Sequence, residues 1–345
     1  MPPIPAPAPD DGFARVAAAQ GRSALRPGLL RELNIDPAVH PRGQPHLSAA
    51  SGLVCAFGRI YVVADDELHL GVFHDLHAPG TLCRIVAGKL PRSQRTRKKR
   101  KPDLETLLLL PHGGAGLHKG AALLALGSGS TTRRDRAVVV PLDTAGAPLA
   151  GQVRALDLAP LYAPLRTTLG AINIEGALWL RHEFVLLQRG GDGERGTNAT
   201  LHFGRVQALA WLAGATRNVP PLHEVRPCDL GGVQGVAYGF TDGAPLPADC
   251  GDGFLFTAVA EASGDSVADG ACVGSALGRM DARGRVLWMQ PLHGAPKVEG
   301  LAVRASPGAA GTAAHGKPHF EICLVTDADD PARPSQLLHL GGLVA

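Results

Sequence analysis

Five times along this 345-residue chain, a small or acidic residue followed by a short apolar run opens a new block of strands. The heads are "SGLVCAF" at 51–57, "LETLLLL" at 104–110, "IEGALWL" at 174–180, "VQGVAYG" at 233–239 and "VEGLAVR" at 298–304. A recurrence at this scale, roughly 50 to 70 residues, is the mark of a repeat architecture, and missing it would misassign the whole fold. A second apolar strand follows each head, for example "RIYVVAD" (59–65), "ALLALGS" (122–128) and "EICLVTD" (321–327). Polar loops then separate it from third and fourth strands such as "AVVVPLD" (137–143) and "HEVRPCDL" (223–230).

The fifth block reaches the C-terminus after three strands, whereas "GLLRELNID" (28–36) has fourth-strand character and no block of its own. The two ends complete one another. The expectation is an all-β, five-bladed β-propeller, with the N-terminal strand 28–36 completing the last blade and closing the ring. Such a ring leaves only short, protected sheet edges. The competing count is six blades, with the extra one in the 206–232 region. Glycine (44) and proline (28) are abundant beside 45% apolar residues, as many turns between short buried strands require. Residues 1–25 read as a Pro/Ala-rich disordered arm, and 26–345 as one propeller domain.

Charge and cysteine content exclude several classes. The net charge is +3, and "PRSQRTRKKRKP" (91–102) supplies seven of the 34 basic residues. Aromatic residues make up 4%, too few for the stacking platforms of single-stranded nucleic-acid binders, so nucleic acid is not the expected partner. The six cysteines form no CxxC pair, which points to free thiols and a reducing, cytoplasmic setting. No secretory signal and no run of 18 apolar residues is present, so no membrane span is expected. Oligomeric state is not legible.

Propeller topology sorts the polar residues. Strand one of each blade lines the channel and strand direction alternates outward. Loops entering strand one therefore share a face with loops joining strands two and three. On that face the entry residues Ser51, Glu105, Glu175, Gln234 and Glu299 are expected to ring the channel mouth. Carboxylates held close together in a narrow channel require compensation. An oxygen-only set suits a hard cation such as calcium and does not suit zinc. The alternative for each Glu is a structural role, capping amides of a neighbouring blade or pairing with an arginine. The loop "GSGSTTRRDR" (127–136) lies on the same face. Its Ser128, Ser130, Arg133, Arg134 and Arg136 are the expected contacts for an anionic small molecule. It lacks the GK[ST] of a phosphate-binding loop, and the chain has no GxSxG nucleophile elbow.

The segments "DLETLLLLP", "NIEGALWL" and "KVEGLAV", with the loop "RRDR", resemble an uncharacterised bacterial family of phytase-like, or esterase-like, β-propeller proteins. A second resemblance is to the calcium-activated nucleotidases (apyrases), five-bladed propellers with a central calcium. It rests on the order of strand heads, on "YVVADDELHLGVF" with its paired Asp, and on "LLQRGGDGERGTN". Here Gln234 stands where that family has Ser, and Arg189 stands alone where it has an arginine pair. The resemblance implies a general-base role for Asp65 or Asp66 and a phosphate contact for Arg189. Two functions remain open. One is a non-catalytic propeller holding calcium and an anionic ligand on one face. The other is a calcium-dependent phosphoesterase-like hydrolase.

Overall fold

The computed structural model describes residues 23–110, 120–190, 197–262, 270–305 and 319–344. The expected arm 1–25 lies almost wholly outside them. Five antiparallel four-stranded sheets form the blades. Blade 1 comprises Ala50–Ala56, Arg59–Ala64, His69–Phe73 and Thr81–Arg84, and blade 2 Leu104–Leu110, Ala122–Gly127, Arg136–Pro141 and Arg154–Asp157. Blade 3 comprises Ile174–Trp179, Glu183–Gln188, Ala199–Gly204 and Leu222–Pro227. Blade 4 comprises Gly239–Pro245, Phe254–Ala262, Ala271–Met280 and Val286–Pro291. Blade 5 has Val298–Ala305, His319–Thr326 and Gln336–Val344, and its outer strand is the N-terminal Gly28–Glu32.

That closure is the one expected, with a shorter strand. After Glu32 the chain crosses from blade 5 to blade 1. The Leu33 amide donates to Ser335, and the Gly80 amide donates to Asn34 across a bridge from Ile35. The closing segment thus ties the last blade to the first.

The five first strands pack against one another around the ring. The apolar core is accordingly divided into five parts, one at each blade junction. Between blades 1 and 2, for instance, Tyr61, Leu70, Leu123 and Val140 interdigitate, and between blades 3 and 4 Val185, Leu187, Phe240 and Phe256 do. A strand sandwiched between two blades is buried on both faces, so its sequence is a continuous apolar run such as "LETLLLL" and shows no alternation.

Every first strand carries one β-bulge, and its position explains the repeated head. Register shifts skip Ser51, Glu105, Glu175, Thr241 and Glu299. A bulged residue leaves the ladder unpaired and is re-aimed by the local twist, which turns these side chains toward the face. The residue after the bulge faces the neighbouring blade's backbone. A Cβ on Gly52 would lie 2.5 Å from the Leu107 nitrogen, and one on Gly300 would lie 2.6 Å from the Ser51 oxygen. The Ser-Gly and Glu-Gly heads are therefore a bulge followed by a close inter-blade approach.

Blade 4 departs from the expectation. "VQGVAYG" is not its first strand. Gly232–Val233 and Val236–Ala237 form a two-stranded hairpin whose turn residues Gln234 and Gly235 both have positive φ, 52° and 80°. This is the primed turn that hairpin twist favours. The true inner strand, Gly239–Pro245, is the stretch that reads as a loop because it contains Asp, two Gly and Pro. The 206–232 region holds a helix, Arg205–Leu212, and blade 3's outer strand, so there is no sixth blade.

Candidate functional site

The register aligns further polar positions on the face of the entry loops. Two residues before each bulge stand Ala49, Asp103, Asn173, Gly239 and Lys297. Opposite them, at the exit of strand two, stand Asp65, Ser128, Arg189, Val259 and Asp327, with Glu261 two residues beyond Val259. Backbone hydrogen bonds lock these positions blade to blade. Asp103 donates its amide to the Asp65 carbonyl, Ser128 to that of Asp103, and Ile174 to that of Ser128.

Three carboxylates converge at the junction of blades 1 and 2. One oxygen each from Asp65, Asp103 and Glu105 lies within 4.8 Å of the other two. Asp103 is 2% exposed and has φ +58°, a left-handed conformation uncommon outside glycine. Lys101, from the end of the basic loop, donates to Asp65 and stands 2.9 Å from Asp103 Oδ1. Arg134 Nη1 lies 2.8 Å from the other Asp103 oxygen, which also accepts from the Ser128 hydroxyl.

A second group, from blades 3, 4 and 5, continues the cluster around the mouth. Arg189 lies 3.6 Å from Glu175 and 3.0 Å from Glu261. Lys297 lies 3.1 Å from Glu261, 3.5 Å from Glu299, 3.8 Å from Asp327 and 2.8 Å from Asp329. With Asp66, held by Arg97 Nε at 2.6 Å, these groups comprise nine carboxylates and five cations among the described residues, and the Arg42–Glu67 pair beside Asp66 together with Lys98 and Asp330 of the adjoining cleft adds two of each. Negative charge is in excess, and most of it is buried.

The protonation equilibria register that excess. Burial pushes Glu105 and Glu299 well above the usual carboxylate range, and neighbouring carboxylates add to the effect. Burial also raises Glu175 against the opposing pull of Arg189. Burial lifts Asp65 to about 6 despite Lys101, and Asp327 to about 8 despite Lys297. Asp103 is the exception. Burial pushes it up, but Lys101 and Arg134 outweigh burial and hold it below the ordinary value.

Of the residues expected from sequence, Glu105, Glu175, Glu299, Asp65, Asp66, Ser128, Ser130, Arg134 and Arg189 meet on this face. Ser51 is buried, and its hydroxyl donates to the Ala49 carbonyl. Gln234 does not join the ring. It is exposed at the hairpin turn, and its equivalent is Thr241, hydrogen-bonded to Thr257 at 3.0 Å. Arg134 and Arg189 pair with the protein's own carboxylates, Arg133 is exposed, and Arg136 folds back onto the Arg133 carbonyl at 2.6 Å. The middle of the loop around 191–196 lies outside the described residues.

Sequence reading missed Lys101, Asp103, Asp242, Glu261 and Lys297. Stepping two residues back from each head would have found Asp103 and Lys297. Asp242 follows the blade 4 bulge and is 2% exposed. Its carboxylate accepts from the Gly243 and Leu301 amides, both at 2.8 Å, and so joins blades 4 and 5. Next to the carboxylate trio, a cleft is lined by Ser48, Asp65, Asp66, Arg97, Lys101, Asp327 and Asp329. Its basic wall comes from the short helix Gln94–Lys98. Arg97 is buried there, while Arg95 and Lys98 are exposed.

The class so defined is a five-bladed β-propeller with a buried, acid-rich cluster at one channel mouth. Within that class, the chain belongs to the family of unknown function DUF6929, whose model matches residues 46–341. No curated protein matches it. Solved structures similar in fold include the calcium-binding protein regucalcin from Agrobacterium tumefaciens, at 11% identity and TM-score 0.45, covering 94% of this chain and 96% of that one. The nidogen/laminin complex is similar at 12% identity and TM-score 0.37, covering 84% and 79%. The Pan2 WD40 domain of Neurospora crassa is similar at 12% identity and TM-score 0.33, covering 91% and 84%. No helix among the described residues is long and apolar enough to cross a membrane.

Proposed function

We propose that this face binds a calcium ion through Asp65, Asp103 and Glu105, and holds an anionic ligand in the adjoining cleft without cleaving it. The observation that carries the reading is the convergence of those three carboxylates within 4.8 Å on a face with more acids than cations. The donor set fits the ion. It is all oxygen, with no His or Cys among the three, and hard cations with several carboxylate ligands match it. Bound there, calcium would supply the positive charge that the site otherwise takes from Lys101 and from protons on buried carboxylates. It would also leave the Lys101 ammonium available to the cleft. The helix Gln94–Lys98 supports the anionic-ligand part, since its Arg97 and exposed Lys98 line the cleft.

The test is thermal melting with calcium or chelator, for the wild type and for Glu105→Gln. An ion that binds only the folded state raises the midpoint as its concentration rises. The wild type should respond and Glu105→Gln should respond less. No shift in the wild type overturns the reading. For the second part, inorganic phosphate titrated with calcium present should add a further shift, and turnover of a panel of phosphate esters would replace binding by hydrolysis.

A further inference from the structure

In the junction core where the ring closes, two cysteines meet. Cys55 lies in the first strand of blade 1 and Cys323 in the second strand of blade 5, and these strands are in contact. The register leads to the same place. Blade 5's first strand approaches blade 1 so closely that a Cβ on Gly300 would lie 3.2 Å from the Leu53 Cβ. Two residues further along each strand are Ala302 and Cys55, and Ala302 is the cross-strand partner of Cys323. Cys323 is a core residue of this junction, 3% exposed, and Cys55 and Ala302 pack against the same core. The two thiols interact side chain to side chain, with Arg304 as the nearby cation. Cys55 is only partly buried, so a small reagent can reach it, whereas the other buried cysteines, Cys228 and Cys250, belong to other junctions.

We infer that Cys55 and Cys323 form a dithiol that a low-molecular-weight disulfide oxidises to a covalent latch between the first and last blades. The Cys55 thiol, the more accessible of the two, gives up its proton to solvent as it attacks one sulfur of the external disulfide and expels the first small thiolate. Cys323 loses its proton to solvent and attacks the Cys55 sulfur, expelling the second. Two electrons pass from the protein dithiol to the reagent, and the two protons lost by the cysteines are available to the two released thiolates. The hydrogen bond from Cys55, with Arg304 nearby, favours the anionic form of Cys323, the sulfur that closes the bond, while the same hydrogen bond and burial keep Cys55 a thiol until it reacts. The bond would fasten the junction that is otherwise held by non-covalent packing and the N-terminal strand. It would cross-link positions far apart in sequence, where the loss of unfolded-state freedom is large.

The test uses the full chain in its folded state, equilibrated with glutathione disulfide and compared with glutathione alone. The expected result is loss of two of the six thiols, and a peptide joining Cys55 to Cys323 by mass spectrometry. The melting midpoint should rise by about 5 °C, returning on reduction. Cys55→Ser and Cys323→Ala, made separately, should each remove the linked peptide and the rise. A variant that fails to fold leaves the wild-type peptide map to decide. A persistent glutathione adduct on Cys55 without the cross-link overturns the inference. So does preferential oxidation of any other cysteine, or six unreacted thiols in the folded protein.

Discussion

Lys101 Nζ stands 2.9 Å from Asp103 Oδ1 and also donates to Asp65, so a residue of the basic loop lies among the carboxylates proposed to bind calcium. Burial would lower the Lys101 pKa, but Asp65, Asp103 and Glu105 together hold it well above the ordinary lysine value. The ammonium is therefore the resident counter-charge of these carboxylates and would compete with an ion bound as proposed. Lys101→Met should lower the stability of the calcium-free protein by about 3–5 kcal/mol, the usual cost of removing one partner of a buried pair. The same variant should show a larger calcium-induced rise in melting midpoint than the wild type. A smaller rise would mean that Lys101 helps to build the site and does not compete for it.

Asp242 gives a prediction independent of the ion. Each carboxylate oxygen takes one backbone amide, and the Leu301 amide belongs to the next blade. Asparagine retains one acceptor and turns an N–H toward the other amide. Asp242→Asn should cost about 1–3 kcal/mol by chemical denaturation, because one buried amide loses its partner. Calcium affinity should change little, since Asp242 is not among the three converging carboxylates. A loss of affinity matching the loss of stability would tie the blade 4–5 junction to the site.

The inner-strand glycines separate architecture from chemistry. Gly52→Ala sets a Cβ 2.5 Å from a backbone nitrogen of blade 2, which cannot move aside as a side-chain tip can. Gly151→Ala meets nothing within 4 Å. The first should destabilise by about 1–3 kcal/mol and the second should be close to neutral. Equal effects in a denaturant melt would contradict the close inter-blade approach.

The fold was legible because its repeat is carried by backbone requirements. A bulge, a close approach and a doubly buried strand each constrain the residue types allowed, so four of five heads read true. Blade 4 was obscured because a two-residue hairpin imitates a head, while the real strand uses Asp242 where three of the other four blades use glycine. Asp65 and Glu105 could be paired by topology alone. Asp103 could be placed on the face two residues before Glu105, but its inward aim could not be read, since it depends on a left-handed backbone angle, and Lys101 reads as one more solvated charge in a basic run. Arg134 was legible as a residue of the face but not in its partner. Sequence suggests an external anion, and the structure places Asp103 beside it.

The buried carboxylates make a pH prediction whose sign can be worked out. Asp65 and Asp327 ordinarily titrate near 3.8, but here they titrate at about 6 and about 8. A group with a raised folded pKa binds its proton more tightly when folded. Its contribution to stability is full below the unfolded value and is lost as pH rises through the folded value. Asp103, held low by Lys101 and Arg134, acts oppositely and loses its contribution only as pH falls below the ordinary carboxylate range. In chelator, stability should therefore be highest at about pH 4 and decline steadily toward pH 8 or 9. Calcium bound as proposed would replace the lost protons as counter-charge, so its stabilising effect should grow over the same interval and flatten the decline. Denaturation midpoints measured across that range, with chelator and with calcium, check both halves. A chelated protein whose stability rises from pH 5 to pH 8 would show that the acid cluster is balanced by its own lysines and arginines and has no charge left for an ion to neutralise.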